Sequence, residues 1–368
     1  MPRIYWIRVG LFVFAGIFVL LLLFVSCEML TMNRGMPGPD MAPPVNGRVG
    51  KDYVVIETLF ATDRNQTGSD EPSKIFGVKR SEVSYGVCEV TIPHDRNIGE
   101  LNSPSFWQFE NPSKHIILAD IELKDKLELF DELRARLENT AERSALVFVH
   151  GYQNSFEDAA RRSAQLAYDL NFKGVPMFYS WPSQGTYRGY RTDGTNIAQS
   201  TRNIQVFLED LVSDSAIDHI YLIAHSMGNR AVANIVTKLN DQQSGKIREL
   251  ILTAPDIDAL IFENEIAPAI DKTGISTTLY ASDADLALWG SELGNGYPRI
   301  GAKAVVLPGI ETIDATEIND ELDGHLYYGN NRVVLSDISY AIRGLKASER
   351  TQLREIKTDD GPYWKILP

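Results

Sequence analysis

From residue 145 onward, short runs of branched apolar residues alternate with longer stretches whose apolar positions return every three or four residues. The short runs, at 145–149, 175–179, 220–224, 250–252, 277–280 and 304–307, predict strands buried on both faces. The stretches between them predict helices. Ser155 and Asp158 make a capping-box-like start to one, and 229–239 carries the pattern of another. Such alternation implies a mostly parallel sheet flanked by helices, an α/β architecture whose functional residues collect at the carboxyl ends of the strands.

Upstream the pattern changes. Residues 53–60, 83–92 and 116–121 read as strands, and 123–137 as a helix with charges between its apolar positions. The expected organisation is therefore a strand-rich N-terminal extension over 51–143, an α/β core over 144–345 and a C-terminal tail over 346–368. Residues 28–50, with Pro37, Pro39, Pro43 and Pro44, read as a linker. Ahead of it lies an apolar run, 9–25, preceded by Arg3 and Arg8 as the only charges. At ~1.5 Å per residue this run falls slightly short of a ~30 Å hydrocarbon core, so it suits either a short transmembrane anchor or a signal-peptide core over 1–27. The basic flank orients the body to the outside. Phe24-Val25-Ser26-Cys27 resembles the lipobox of bacterial lipoproteins, with Phe24 where Leu is usual. Cys27 is thus either a lipidation site or one more apolar residue of an anchor. Both readings make the protein membrane-attached and extracytoplasmic.

Composition narrows the partners. With 36 basic and 49 acidic residues among 368, the formal charge is -13, which would repel nucleic acid. Apart from Cys27 the chain has a single cysteine, Cys88, expected as a buried thiol in a strand.

Chemistry concentrates where the strand at 220–224 runs into His225-Ser226-Met227-Gly228 and a helix follows. A serine on such a sharp turn is strained and exposed for attack, and small residues two before and two after it, here Ala224 and Gly228, let strand and helix pass closely. The usual first position is Gly, and Ala is the smallest departure from it. The Met227 amide sits at the helix start, placed to stabilise an oxyanion. Val149-His150-Gly151-Tyr152 occupies the loop that supplies the second donor in this arrangement; the Tyr152 amide is the candidate and His150 the brace.

Nucleophiles on this turn are followed in the chain by an acid and then a histidine. Of six histidines only His325 follows Ser226, in Asp323-Gly324-His325. The acid is Asp285 or Asp283, both after the strand at 277–280, with Asp256 and Asp258 as further alternatives. Strand alternation carries through to Asp283, which starts the turn, so Asp285 lies deeper toward the histidine. Trp181, Tyr187, Arg188, Tyr190 and Arg191 form a candidate substrate rim; arginines among aromatics suit an acidic or carbonyl-rich substrate, unless the loop simply packs on the domain. No H-E-x-x-H, cysteine cluster, P-loop or dinucleotide fingerprint occurs, so neither a metal nor a cofactor is expected.

Phe60-Ala61-Thr62-Asp63-Arg64, Val149-His150-Gly151-Tyr152-Gln153-Asn154-Ser155-Phe156, Ser180-Trp181-Pro182-Ser183, Ala224-His225-Ser226-Met227-Gly228 and Ala254-Pro255-Asp256 together resemble a bacterial family of α/β-hydrolases of unknown function, described as esterase/lipase-like. The resemblance spans 53–334. It implies the α/β-hydrolase fold and a serine triad, and favours Asp285 as the acid. The expected function is a membrane-attached serine hydrolase acting on a small acyl substrate. The alternative is a non-catalytic binding or scaffold protein of the cell envelope.

Overall fold

The computed structural model describes residues 47–104, 109–140, 142–318 and 324–368. The apolar run, Cys27, most of the linker and Asp323 lie outside the described residues. No helix among the described residues is long and apolar enough to cross a membrane.

One sheet organises the domain. Its extension strands are β1 (Gly47–Val49), β2 (Tyr53–Gln66), β3 (Phe76–Pro93) and β4 (Ile117–Lys124). The core strands are β5 (Ser144–Val149), β6 (Val175–Ser180), β7 (His219–His225), β8 (Ile247–Thr253), β9 (Thr277–Ala281) and β10 (Ile310–Asp314). The C-terminal pair is β11 (Leu353–Thr358) and β12 (Gly361–Ile366). The order across the sheet is β11-β12-β10-β9-β8-β7-β5-β6-β2-β3-β4, with β1 beside β2. Pairing is parallel from β12 through to β2 and antiparallel at both margins. The chain turns one way from β5 to β6 and the other way to β7, so the crevice at their carboxyl ends is a topological switch point, where open α/β sheets bind ligands.

Period-two alternation sends side chains into two cores. Ala145, Val147 and Val149 of β5 and Ile220, Leu222 and Ala224 of β7 enter one; Leu146, Phe148, Tyr221 and Ile223 enter the other. Helices α1 (Lys126–Leu137), α3 (Tyr190–Ser213) and α4 (Gly228–Val236) cover the first face. Helices α2 (Phe156–Asp169) and α7 (Arg332–Ile342) cover the second. Between them in the chain lie α5 (Ala267–Thr273) and α6 (Leu286–Asn295). The Ser155–Asp158 start of α2 is a complete capping box. Cys88 is fully buried in β3, and burial pushes its thiol up.

Two sequence expectations shift. Residues 304–307 are not a strand: Leu307 makes one isolated bridge to Ile310 around a Pro308-Gly309 turn, and the strand is β10, paired with β9. Val305 and Val306 are branched and apolar, yet the turn leaves them no neighbouring strand to pair with. The residues after 345 are more than a tail, because the β11–β12 hairpin extends the sheet beyond β10.

Candidate active site

Where β7 gives way to α4, Ser226 adopts φ 49°, a left-handed conformation that costs a non-glycine residue about 1–3 kcal/mol. Several bonds hold it there. The Ser226 N–H donates to the Thr253 carbonyl at 3.0 Å. The Ser226 carbonyl accepts from the amides of Asn229 and Asp256 at 3.1 and 3.2 Å, and from Asn229 Nδ2 at 3.0 Å. The close approach that requires Gly228 is to the neighbouring strand end: a Cβ there would stand 2.5 Å from the His150 carbonyl oxygen. A Cβ at Gly151 would stand 2.7 Å from Ser226 Cβ, so the loop after β5 lies directly against the serine.

His325 and Asp285 meet. His325 Nδ1 donates to Asp285 Oδ2 at 2.7 Å, with both side chains buried. Asp285 is also the N-cap of α6, its Oδ1 accepting from the Leu288 amide at 2.9 Å, so the helix start fixes the carboxylate and its dipole favours the charge. His225 holds the other side of the histidine: its Nε2 donates to the His325 carbonyl at 3.1 Å, and the two rings lie 4.6 Å apart. Burial pushes His225 well below the usual imidazole range, so it stays neutral and keeps an unprotonated ring nitrogen. Asp283 is exposed, and its amide donates to Thr316 Oγ1 at 3.0 Å. Asp256 serves elsewhere, accepting from Arg230, Tyr190 and Ser291 and pairing with Arg299. Asp258 caps the turn that follows it.

The Met227 amide has no acceptor among the described residues, and Tyr152 lies in the loop pressed on Ser226. His150 braces that loop. Fully buried and stacked on Trp181, it donates from Nδ1 to the Gly151 carbonyl at 2.7 Å and accepts at Nε2 from Ser180 Oγ at 3.2 Å. Burial pushes its pKa down to about 3. Arg64, which the sequence left without a role, ties three segments together through Ser180 Oγ and the carbonyls of Gly77, Asn154 and Ser183. Burial lowers this guanidinium to about 10. Its place in the Phe60–Arg64 motif was the only signal.

A cleft of about 720 Å³ opens at this end of the sheet. Tyr152, His225 and His325 line it, while Ser226 beside them is only 2% exposed. Tyr187, Arg188, Tyr190 and Arg191, singled out in the same sequence segment, also line it. Trp181 does not: it is fully buried, its Nε1 donating to the His150 carbonyl at 2.8 Å, because a large ring beside a buried histidine packs rather than faces water. Among the described residues no group of three or more His, Cys, Asp or Glu side chains converges as a metal site would need.

Several solved structures resemble this chain at low identity. Est1E from Butyrivibrio proteoclasticus is 14% identical, over 57% of this chain and 90% of that one, with a TM-score of 0.35. A predicted CIB-like hydrolase from Thermoplasma acidophilum is 15% identical over 56% and 88%, at 0.33. LpqC, a poly(3-hydroxybutyrate) depolymerase from Bordetella parapertussis, is 13% identical over 81% and 80%, at 0.31. No curated protein matches. A family model described as alpha/beta hydrolase of unknown function (DUF900) matches residues 125–338, more than half of the chain, and the protein belongs to that family of α/β-hydrolases.

Proposed function

We propose that this hydrolase is a serine hydrolase of carboxylic esters, with Ser226 as nucleophile, His325 as base and Asp285 as the orienting acid. Ser226 Oγ attacks the acyl carbon while its proton passes to His325 Nε2. The tetrahedral oxyanion rests on the amides of Met227 and Tyr152. Its collapse breaks the bond to the leaving alkoxide, which takes the proton from His325, and water then releases the acid from the acyl-serine by the same path. The observation that carries the reading is the strained Ser226 on its turn at the same strand ends as the hydrogen-bonded Asp285–His325 pair. Thioesters and amides would use the same groups. In a binding or scaffold protein, the strained serine would have no use.

A fluorophosphonate should label the wild-type protein at Ser226, found by mass spectrometry of the labelled peptide, and should leave folded Ser226→Ala unlabelled. Label on another serine, or none on a folded wild-type sample, overturns the assignment.

The apolar run at 9–25 supports attachment to a membrane with the body outside, by an uncleaved anchor or by lipid on Cys27. The protein is then expected in the membrane fraction, and deletion of residues 1–27 should release it. Incorporation of a palmitate analogue that persists in Cys27→Ser would reject lipidation at that position.

A further inference from the structure

Arg162 of α2 is only 4% exposed, yet it lines the cleft. Its Nη1 donates to Gln165 Oε1 at 2.8 Å and its Nη2 to Asn330 Oδ1 at 2.7 Å, both neutral amide oxygens. The guanidinium carbon lies 5.5 Å from the centre of the Tyr328 ring, and a side chain at Gly329 would collide with the group. No carboxylate pairs with it among the described residues. Among the other buried arginines, Arg96 pairs with Asp169, Arg299 with Asp256 and Arg350 with Asp337, while Arg64 and Arg161 also bond only to neutral oxygens but do not line the cleft. Gln165 links Arg162 toward Asp169, but Arg96 already occupies that acid. A cation taken out of water without a counter-charge is costly, and an anion arriving in the cleft would offset that cost.

The surroundings point the same way. Tyr328 also stacks on His225 with 4.3 Å between ring centres, so Arg162 lies two rings from His325. Arg188 and Arg191 stand on the same cleft, with no acidic partner among the described residues. Among the described residues the one carboxylate in the lining, Asp158, accepts from the Ser155 amide and hydroxyl at the start of α2. The described part of the lining therefore holds three arginines against one aspartate in a chain of net charge -13. A cleft of one sign focuses its field on an oppositely charged ligand.

We infer that the cleft takes an acyl substrate bearing a second, anionic group, a carboxylate or a phosphate, and that Arg162 binds this group while Arg188 and Arg191 attract it. The inference rests on the serine hydrolase reading for the chemistry at Ser226. Charge-assisted hydrogen bonds from a held guanidinium give the recognition its strength.

The test compares kcat/KM for three p-nitrophenyl esters of matched length: a neutral pentanoate, the mono-ester of glutarate, and a butanoate ending in a phosphate. The wild type should prefer at least one anionic ester over the neutral one tenfold or more, and which one it prefers identifies the group. That preference should weaken as NaCl is raised, since salt screens the attraction. In Arg162→Met the anionic-to-neutral ratio should fall at least tenfold, and Arg162→Lys should retain part of it. Should Arg162→Met not fold, as judged by loss of fluorophosphonate labelling, the double variant Arg188→Ala/Arg191→Ala should lower the ratio and its salt dependence. Protection of wild-type Ser226 from the fluorophosphonate by glutarate or inorganic phosphate, but not by glutaramide, supports the inference without turnover. Equal kcat/KM for all three esters, or a ratio unchanged in Arg162→Met, overturns it. If Ser226 is labelled and no anionic preference exists, this inference alone fails; if Ser226 is not labelled, the hydrolase reading fails first.

Discussion

Asp285→Asn is expected to lower kcat by up to ~10⁴-fold, about 5 kcal/mol on the barrier, with little change in fold. Asparagine is as good an N-cap as aspartate, so the start of α6 should survive the change. What changes is the hydrogen bond. His325 Nδ1 now donates to a carboxylate oxygen at 2.7 Å, which keeps Nε2 as the lone-pair nitrogen and, in the proposed mechanism, would stabilise the imidazolium formed when Ser226 gives up its proton. An amide group in that place carries no charge, and it can present its NH₂ to Nδ1 and so favour the wrong tautomer. Asp283→Asn should cost far less, since Asp283 is exposed and its backbone amide, not its carboxylate, bonds to Thr316. The measurement is kcat for both variants on one ester, with circular dichroism to establish folding. Near-normal turnover in Asp285→Asn with collapse in Asp283→Asn would reverse the assignment, and normal turnover in both would remove this pair from the mechanism.

Acid should destabilise the loops around Ser226, through His150. Its native pKa is pushed from 6.5 to about 3 by burial, so below pH 6.5 the unfolded chain takes up a proton that the folded one refuses. The stability linked to this histidine is therefore fully present above pH 6.5 and lost as the pH falls toward 3. At ~1.4 kcal/mol per unit, the loss by pH 4 is about 3 kcal/mol. His225, shifted in the same direction, adds to it. Asp63, Asp193 and Asp337 work the other way: burial raises their pKa values, so they favour the folded state as acid is added. Those carboxylates are common to wild type and variant, and the difference between two proteins isolates the histidine. Urea unfolding at pH 7 and pH 4 should show a smaller loss of stability in His150→Gln than in wild type, by about 3 kcal/mol. Parallel pH profiles would show that His150 does not stay neutral in the fold.

Much of the frame is legible along the chain because it follows from local rules. The runs at 145–149, 175–179 and 220–224 had to pair on both edges, since they carry no polar face to leave in water. The turn at Ser226 could be read because only small residues such as Ala224 and Gly228 allow a strand and a helix to cross there, and the Ser155–Asp158 cap because it closes within four residues. His325 was reachable by chain order and by elimination among few histidines, and Asp285 was favoured over Asp283 by strand alternation and by the family resemblance. What the sequence could not decide is whatever depends on which distant segments share a layer. Residues 304–307 look like a strand by composition, but the Pro308-Gly309 turn assigns the pairing to β10. Trp181 reads as a rim aromatic until the stacking on His150 buries it. The bond from His225 to the His325 carbonyl, the Arg64 tie across three segments and the uncompensated charge of Arg162 join residues dozens to more than a hundred positions apart. Periodicity and capping act over a few residues and can be read from the chain itself; burial and charge pairing are sums over neighbours that only the folded sheet brings together.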